Sequence, residues 1–397
     1  MPEIHPKRFV ILCLVLFSTF CLPLLAVGEE AGLPGWTDNP PPRNVTTLLA
    51  LAEKYRAEGR WTSALAFYSR AIKEARKDLD RLTRERGGDH PAVAEALDRL
   101  ADLFLVRQDF IEKMDRDGDK ETEELCDFVL QYERAEWIRT GLYGTPFHPS
   151  IARALDRTAE LWRRCHPTMA EKFFKAAVTS REHIFGPTHL QVADACDRYA
   201  RYLKLSMMDF KGARALYERA LKIRETLLGE GRIEMIRNLP DLAETAFFSG
   251  DKNSAKMLVR RAVMTIQRNT APPTPETAEI LRSLGLIEGE MEDPGGARIL
   301  LEKAVDMQER LFGPRHPKVA ETLGDLALLF LNQDQPDRAL ALYNRALKIL
   351  EFYYGRIHPE LEAILIEMIS LLEERGERSR AENLHRRLKQ ILKKKET

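Results

Sequence analysis

Apolar positions recur along this chain with the spacing of an α-helix. From His90 onward, apolar side chains fall on one stripe, and the stretch from His316 onward repeats the same spacing. The two stripes are Val93, Leu97, Leu100, Ala101 and Phe104, and Val319, Leu323, Leu326, Ala327 and Phe330. Steps of three and four residues place these side chains on one helix face, whereas a strand would alternate every second residue. Short polar breaks such as Ser249-Gly250-Asp251 divide each unit, which predicts helical hairpins with a helix A, a tight turn and a helix B.

A repeat of 42 residues organises these hairpins. An alanine that opens a motif in helix B falls at regular positions, namely Ala213, Ala255, Ala297, Ala339 and Ala381. Such a period predicts a solenoid, in which stacked hairpins bury a core that no single hairpin could bury. Eight units start near Asn44, His90, His148, His189, Arg232, Thr274, His316 and His358. The one long step, from His90 to His148, predicts an insertion near residues 107–122 that lengthens the turn of the second unit.

A turn motif marks the junctions between hairpins. Gly-x-x-His-Pro occurs at Gly87 to Pro91, Gly313 to Pro317 and Gly355 to Pro359, and variants occur at other junctions. Glycine ends helices in the left-handed conformation and proline is favoured in the first turn of a helix. Each motif therefore predicts the end of one helix B and the start of the next helix A. The histidines are interpreted as structural, because one histidine per repeat is too widely spaced to share a metal ion.

The N-terminus has the features of a targeting segment. Lys7 and Arg8 precede an uncharged apolar run from Phe9 to Val27, and small residues stand at Ala26 and Gly28. These features predict that residues 1–28 are a signal peptide, with an uncleaved membrane anchor as the alternative. A linker rich in proline and glycine is predicted at 29–43, and the solenoid occupies 44–397.

These repeats resemble a known family. The opening His316-Pro317-x-Val319-Ala320, the helix B motif from Leu342 to Ile349 and the ending Tyr354-Gly355 are similar to the 42-residue tetratricopeptide repeats (TPR) of kinesin light chains. The resemblance covers roughly residues 44–395. It implies an all-α, right-handed superhelical solenoid of about eight helix-turn-helix repeats whose common task is to bind other polypeptides. A role as a motor adaptor is not expected, because an export signal precedes the repeats and a heptad coiled coil does not.

Composition and motifs limit the kinds of ligand and reaction that the sequence predicts. The 397 residues contain 61 Lys and Arg and 61 Asp and Glu, so charge gives no reason to expect nucleic acid as a partner. The chain has no glycine-rich phosphate loop, no Gly-x-Ser-x-Gly, no CxxC and no HExxH, which predicts a protein that is not an enzyme and uses no metal or cofactor. Asp115 to Asp119 resembles the start of a calcium loop, but Lys120 stands where that loop needs glycine. Cys126 and Cys165 could pair in an oxidising compartment, and the sequence leaves this open.

A polar ladder on helix A is the candidate site. Asp and Arg recur at one register in the second, third and fourth repeats, as Asp98-Arg99, Asp156-Arg157 and Asp197-Arg198. In kinesin light chains the matching positions face the concave groove and contact bound peptide, so the resemblance implies a peptide-binding site here. The alternative is that these side chains are solvated partners on an exposed face. Repeats five to seven depart from the pattern with Pro240-Asp241, Arg282-Ser283 and Gly324-Asp325.

The sequence therefore predicts an exported scaffold that binds a protein or peptide partner in its concave groove, in the periplasm or outside the cell. The alternative is a membrane-tethered assembly or co-chaperone factor that retains Phe9 to Val27 as its anchor. Contact with a membrane is expected only through the N-terminal segment, and only if that segment is not cleaved.

Overall fold

A computed structural model describes residues 44–114, 119–229, 232–268 and 272–395. These residues form sixteen α-helices, two short 3-10 helices and no strand. The helices follow one another in eight neighbouring pairs, each a helix A and a helix B, as an all-α solenoid requires. The expected fold class is therefore confirmed. The segment at 1–28, the linker at 29–43 and the acidic stretch Asp115 to Gly118 lie outside the described residues.

The helix bounds follow the predicted repeat. The pairs are α1 (Val45–Ala57) with α2 (Trp61–Arg86), α3 (Pro91–Met114) with α4 (Asp119–Tyr143), α5 (Pro149–Cys165) with α6 (Pro167–Phe185), α7 (Leu190–Ser206) with α8 (Phe210–Leu228), α9 (Leu239–Phe248) with α10 (Lys252–Arg268), α11 (Pro275–Glu290) with α12 (Pro294–Phe312), α13 (Pro317–Asn332) with α14 (Pro336–Tyr354), and α15 (Glu362–Glu374) with α16 (Arg378–Lys395). The 3-10 helices, Ile233–Ile236 and Pro359–Leu361, precede α9 and α15. In the described part of the chain, no helix is both long and apolar enough to cross a membrane.

The recurring histidines cap the A helices. The imidazole of His316 accepts a hydrogen bond from the backbone N–H of Lys318, and Gly313 takes a φ of 88° just before it. The same ring stacks on Phe312, the last residue of the preceding helix B. Equivalent caps occur at His148, His189 and His358, each stacked on the aromatic residue that ends the helix before it. At these positions the histidine therefore has a structural role, because its ring accepts a hydrogen bond from a backbone N–H that has no partner within the helix.

The described extra residues of the second repeat, 107–114 and 119–122, are helical, so the prediction of a lengthened turn over 107–122 is wrong for these residues. α3 continues to Met114 and α4 begins at Asp119. Phe110 is buried and its ring packs on Trp61 and Tyr68 of the first repeat. Arg107, also buried, donates a 2.6 Å hydrogen bond to Glu124 of α4. The insertion thus lengthens α3, whose added residues Arg107 and Phe110 pack against α4 and α2.

The buried apolar side chains form two clusters that meet on α12. The first runs from α1 to one face of α12, where Leu300 and Ala304 belong to it. The second begins with Ala297 and Leu301 on the other face of α12 and continues to α16. The division of the core at the sixth repeat coincides with an open cavity against the A helices of repeats five to seven.

The first and last repeats touch each other. The imidazole Nε2 of His358 lies 3.2 Å from the carbonyl oxygen of Ala57, and the hydroxyl of Thr62 donates a 3.0 Å hydrogen bond to the carbonyl of Lys395. The ammonium of Lys395 also lies over the ring of Trp61, 5.2 Å from its centroid. Burial lowers the pKa of His358, which keeps the ring neutral, so Nε2 donates to Ala57 while Nδ1 accepts the cap hydrogen bond. The array therefore closes head to tail.

Replacing Gly59 with alanine is expected to weaken this closure. Gly59 has a φ of 73°, and a Cβ there would lie 2.7 Å from Cδ of Pro359. Gly250 is the matched control, because its φ is 89° and a Cβ there meets nothing within 4 Å. The backbone conformation alone costs each variant about 1–2 kcal/mol, so Gly59→Ala should lose clearly more stability than Gly250→Ala in urea unfolding followed by circular dichroism. Equal losses would show that the first and last repeats do not support each other in solution.

Candidate peptide-binding groove

The candidate aspartates form ion pairs inside and between repeats. Asp98, Asp156 and Asp197 lie on α3, α5 and α7, and each accepts hydrogen bonds from an arginine of helix B in its own repeat. Those arginines are Arg139, Arg181 and Arg224, whose side chains are at most 8% exposed. We call these three Asp–Arg pairs the ion-pair ladder. Each carboxylate therefore already pairs with a buried cation. The attraction between the two charges offsets part of the free-energy cost of removing the carboxylate from water.

The neighbouring repeat adds a second partner to each carboxylate. Arg198 of the fourth repeat donates a 3.1 Å hydrogen bond to Asp156 of the third. Asn238, just before α9, donates one of 3.1 Å to Asp197. Arg157 lies 3.7 Å from Asp98 and makes a two-point contact with Asp102, at 2.7 and 3.2 Å. The ladder thus joins consecutive A helices.

The six predicted site residues consequently differ in what they offer to a ligand. The aspartates are partly buried and hydrogen-bonded, and Arg157 is held by Asp102. Arg99 is exposed, and the side chain of Arg198 is 41% exposed while it contacts Asp156. Burial raises the pKa of Asp197, and the hydrogen bond from Arg224 offsets this only in part. A role of the six residues in peptide binding remains a prediction.

The helix B arginines were missed by the sequence interpretation, although the sequence contained a signal. Arg181 and Arg224 stand at one register of the repeat, where later repeats carry Ile266, Gln308 and Leu350. A charge at a register that is elsewhere apolar or uncharged indicates a buried partner of opposite sign. The recurring aspartate of helix A was that partner.

An open cavity of about 780 Å³ lies farther along the array, against the A helices of repeats five to seven. Its walls come from α9, α11 and α13, with the start of α12 at one side. In these repeats, the helix A positions equivalent to Asp98 and Arg99 contribute four residues to the lining, namely Pro240, Asp241, Ser283 and Asp325. We call this cavity the acidic groove. These positions belong to the helix A register that the sequence analysis singled out, in the repeats where its Asp-Arg pattern is lost, and the sequence interpretation predicted no groove there.

Small residues on α11 keep the groove open. Ser283 stands where Arg157 and Arg198 stand in their repeats, so no long side chain bridges the space at this point. Gly289 occupies the register that holds Phe247 one repeat earlier and Leu331 one repeat later. The large side chain found at this register in those repeats is therefore absent here. Gly285 lets α11 approach α12 closely, since a Cβ there would lie 2.8 Å from Cγ of Leu301.

The lining of the groove combines apolar surface with negative charge. Apolar contacts come from residues that include Phe247, Phe248, Ile280, Leu286, Leu328 and Leu329. Seven carboxylates line it as well, those of Asp241, Glu244, Glu276, Glu279, Glu290, Glu292 and Asp325, against one guanidinium, Arg237. Among the described residues, no three His, Cys, Asp or Glu side chains are placed to hold a metal ion. The mixture of apolar surface and a few polar groups is typical of sites for organic or polypeptide ligands.

Two of these carboxylates have raised pKa values. Burial raises the pKa of Glu290, and the nearby charge of Glu244 raises it further. Burial also raises the pKa of Asp325, which the 2.5 Å hydrogen bond from Arg282 partly offsets. On the side of the fourth repeat, Lys204 contacts Asp241 and Glu244 at 2.6 and 2.8 Å. The groove therefore holds more negative charge than its own cations neutralise.

Family models match three segments of the chain. Each is described as a tetratricopeptide repeat, and the matched residues are 47–82, 192–234 and 276–351. The segments fall in the first, the fourth and the sixth to seventh helix pairs. No curated protein matches the chain along its sequence.

Several solved structures are similar to this chain. A candidate kinesin light chain of Podosopora anserina, with nearly identical TPR-like repeats, is 18% identical and has a TM-score of 0.45 over 52% of this chain and 97% of its own. BtubC (BKLC) from P. vanneervenii is 18% identical, with a TM-score of 0.40 over 73% and 91%. A Rap protein complexed with competence and sporulation factor is 13% identical, with a TM-score of 0.43 over 88% and 98%. At these scores the similarity carries no information about what this chain binds.

The class of protein follows from the matched segments and the eight helix pairs with their 42-residue period. The matched segments of this chain are tetratricopeptide repeats, and the other helix pairs share their architecture. Its repeats are of the length and type found in kinesin light chains, as the His-Pro openings and the aromatic-glycine endings indicate.

Proposed function

We propose that this protein is an exported, non-enzymatic scaffold that binds a polypeptide partner along its A helices, with the acidic groove as the main contact. The observation that carries the proposal is the groove itself, an open space of about 780 Å³ in a fold that serves protein–protein interaction. A rigid array presents such a surface without ordering cost on its own side. The exposed Arg99 and the half-exposed Arg198 belong to the same ladder register and would extend the contact.

Two features support the export part of the proposal. One is the N-terminal segment, with Lys7 and Arg8 before the apolar run from Phe9 to Val27. The other is the disulfide between Cys126 and Cys165, whose Cα atoms are 5.4 Å apart. Structural disulfides persist in oxidising compartments and are rare in the cytosol. A membrane-tethered form that retains Phe9 to Val27 is the second candidate, and intact-protein mass spectrometry separates the two, because cleavage after Gly28 leaves Glu29 first.

Site-specific photo-cross-linking in the native host tests the proposed groove. A photoreactive amino acid is placed in the full chain at Leu286, which lines the groove and is 39% exposed. The matched control position is Met257 on α10, a helix B, which is 70% exposed and does not line the groove. We expect a discrete cross-linked polypeptide from Leu286 and none from Met257. Equal cross-linking at the two positions, or none at either, would contradict the proposal.

A further inference from the structure

The negative charge of the acidic groove is local. The whole chain is balanced, with 61 basic and 61 acidic residues. Around the groove, seven carboxylates face four cations, namely Arg237 in the lining and Arg201, Lys204 and Arg282 beside it, which leaves three negative charges in excess. Composition does not account for this concentration. A cleft lined by one sign of charge attracts the opposite sign.

The ends of three helices add to this field. The last turns of α9, α11 and α13 contribute Phe248, Glu290 and Asn332 to the lining. The carboxyl end of a helix carries a partial negative charge of about half a unit, because its last carbonyls lack intrahelical partners. None of the three last turns contains a basic residue that would offset it. The groove therefore combines excess carboxylates with three negative helix ends.

Among the described residues, the carboxylate of Glu290 forms no ion pair with a lysine or arginine. Lys204 contacts Glu244 from the side of the fourth repeat, and the charge of Glu244 still acts on Glu290, which lines the same groove. Two carboxylates that raise each other's free energy in this way are relieved when a cation binds between them. The apolar side chains of Phe248 and Leu286, 48% and 39% exposed, flank this point.

We infer that the acidic groove binds an extended basic and apolar segment of a partner polypeptide, with a lysine or arginine side chain between Glu244 and Glu290 and apolar side chains on Phe248 and Leu286. This inference rests on the proposed function and adds the chemistry of the ligand to it. An extended chain presents side chains alternately on two sides, so a cationic and an apolar residue can enter neighbouring parts of the groove. The groove selects for positive charge because an acidic segment would meet like charge there.

Binding of defined peptides tests the inference. The probes are fluorescent extended peptides in which valine alternates with lysine, with glutamate or with serine, and anisotropy is measured with the full chain. We expect the lysine peptide to bind at least about tenfold more tightly than the glutamate or serine peptide. Its affinity should fall with added salt, because ions screen the attraction. Equal affinity for the three peptides, or no binding of the lysine peptide, would overturn the inference.

Matched variants locate the binding. Glu290→Lys reverses a charge in the groove, and Glu302→Lys makes the same change at an exposed position of α12 that does not line it. Leu286→Ser and Met257→Ser form the corresponding apolar pair. We expect each groove variant to weaken binding of the lysine peptide by about tenfold or more and each control to leave it unchanged, with circular dichroism showing that all four fold. Equal effects of groove and control variants would contradict the assignment.

The results also separate the inference from the proposed function. If cross-linking from Leu286 is specific but the lysine peptide has no advantage, the groove binds a partner of other chemistry, and only the inference fails. If both experiments are negative, both fail. Light scattering checks for a second copy in the groove, since a dimer that Leu286→Ser abolishes would assign the groove to self-association and overturn the inference.

Discussion

Removing the disulfide by replacing Cys126 and Cys165 with alanine is expected to lower the free energy of unfolding by about 4 kcal/mol. The two residues are 39 positions apart in sequence, and their Cα atoms lie 5.4 Å apart. The bond joins the long helix α4 of the second repeat to the end of α5 in the third. A covalent link of this kind restricts the unfolded chain, and the loss of entropy grows with the length of the closed loop.

Urea unfolding followed by circular dichroism measures the effect on the oxidised protein, the reduced protein and the double variant. The reduced protein and the double variant should unfold at similar, lower urea concentrations, and reductant should not change the variant further. Cys196→Ala is the control, because Cys196 is a buried free thiol and its replacement should leave the effect of reductant intact. Two free thiols at Cys126 and Cys165 in protein isolated from its native compartment would contradict the prediction and weaken the case for export.

The repeat and its junctions were predictable because they depend on local chemistry. Glycine with positive φ, a capping side chain and a proline act within a few residues, so Gly313, His316 and Pro317 could be interpreted without tertiary structure. The stacking of His316 on Phe312 adds a physical reason for the aromatic residue that precedes each glycine. These short-range signals located the junctions that carry the motif, and the 42-residue period located the others.

The extended second repeat was misinterpreted because only its length was compared with the 42-residue repeat. The helical spacing of its apolar residues was not followed into the extra residues. Phe104, Arg107, Ile111 and Met114 continue the helical stripe, and all four are buried. The spacing indicated a longer helix, although the partners of that helix, Trp61 and Tyr68 on α2, come from another repeat. An insertion therefore becomes loop or helix according to whether a neighbouring surface exists to cover it, and that information is tertiary.

The acidic groove was not predictable from the sequence for a similar reason. The space depends on what is missing from helix A of the sixth repeat, namely long side chains at Ser283 and Gly289. The repeats closest to the family pattern fill the same register with ion pairs such as Asp156 with Arg198. Departure from the repeat pattern, rather than agreement with it, marks the cavity.

Arg224→Ala is expected to destabilise the protein by about 3–5 kcal/mol at neutral pH. The side chain of Arg224 is 3% exposed and contacts Asp197 at 2.5 Å and Asp194 at 2.8 Å. Its removal leaves the carboxylate of Asp197, 14% exposed, without a cation in a buried position. Arg310→Ala is the matched control, because Arg310 and Asp306 form an exposed pair on α12, and the loss there should stay below about 1 kcal/mol.

The effect of Arg224→Ala should depend on pH in a direction that identifies its cause. Burial already raises the pKa of Asp197, and removal of Arg224 raises it further. The native state of the variant then binds a proton more readily than the unfolded chain, whose aspartate has a pKa of about 3.9. The destabilisation is therefore complete above the native pKa and decreases as pH falls from that value toward about 4. Urea unfolding at neutral and mildly acidic pH measures this difference.

A double variant separates the loss of a contact from the cost of an unpaired charge. Asp197→Asn with Arg224→Met removes both charges, so it should destabilise the protein less than Arg224→Ala alone. If Arg224→Ala instead costs no more than Arg310→Ala, the carboxylate of Asp197 does not need its arginine for folding. The aspartates of the ladder would then be available to a peptide, and the site on repeats two to four would become the stronger candidate over the acidic groove.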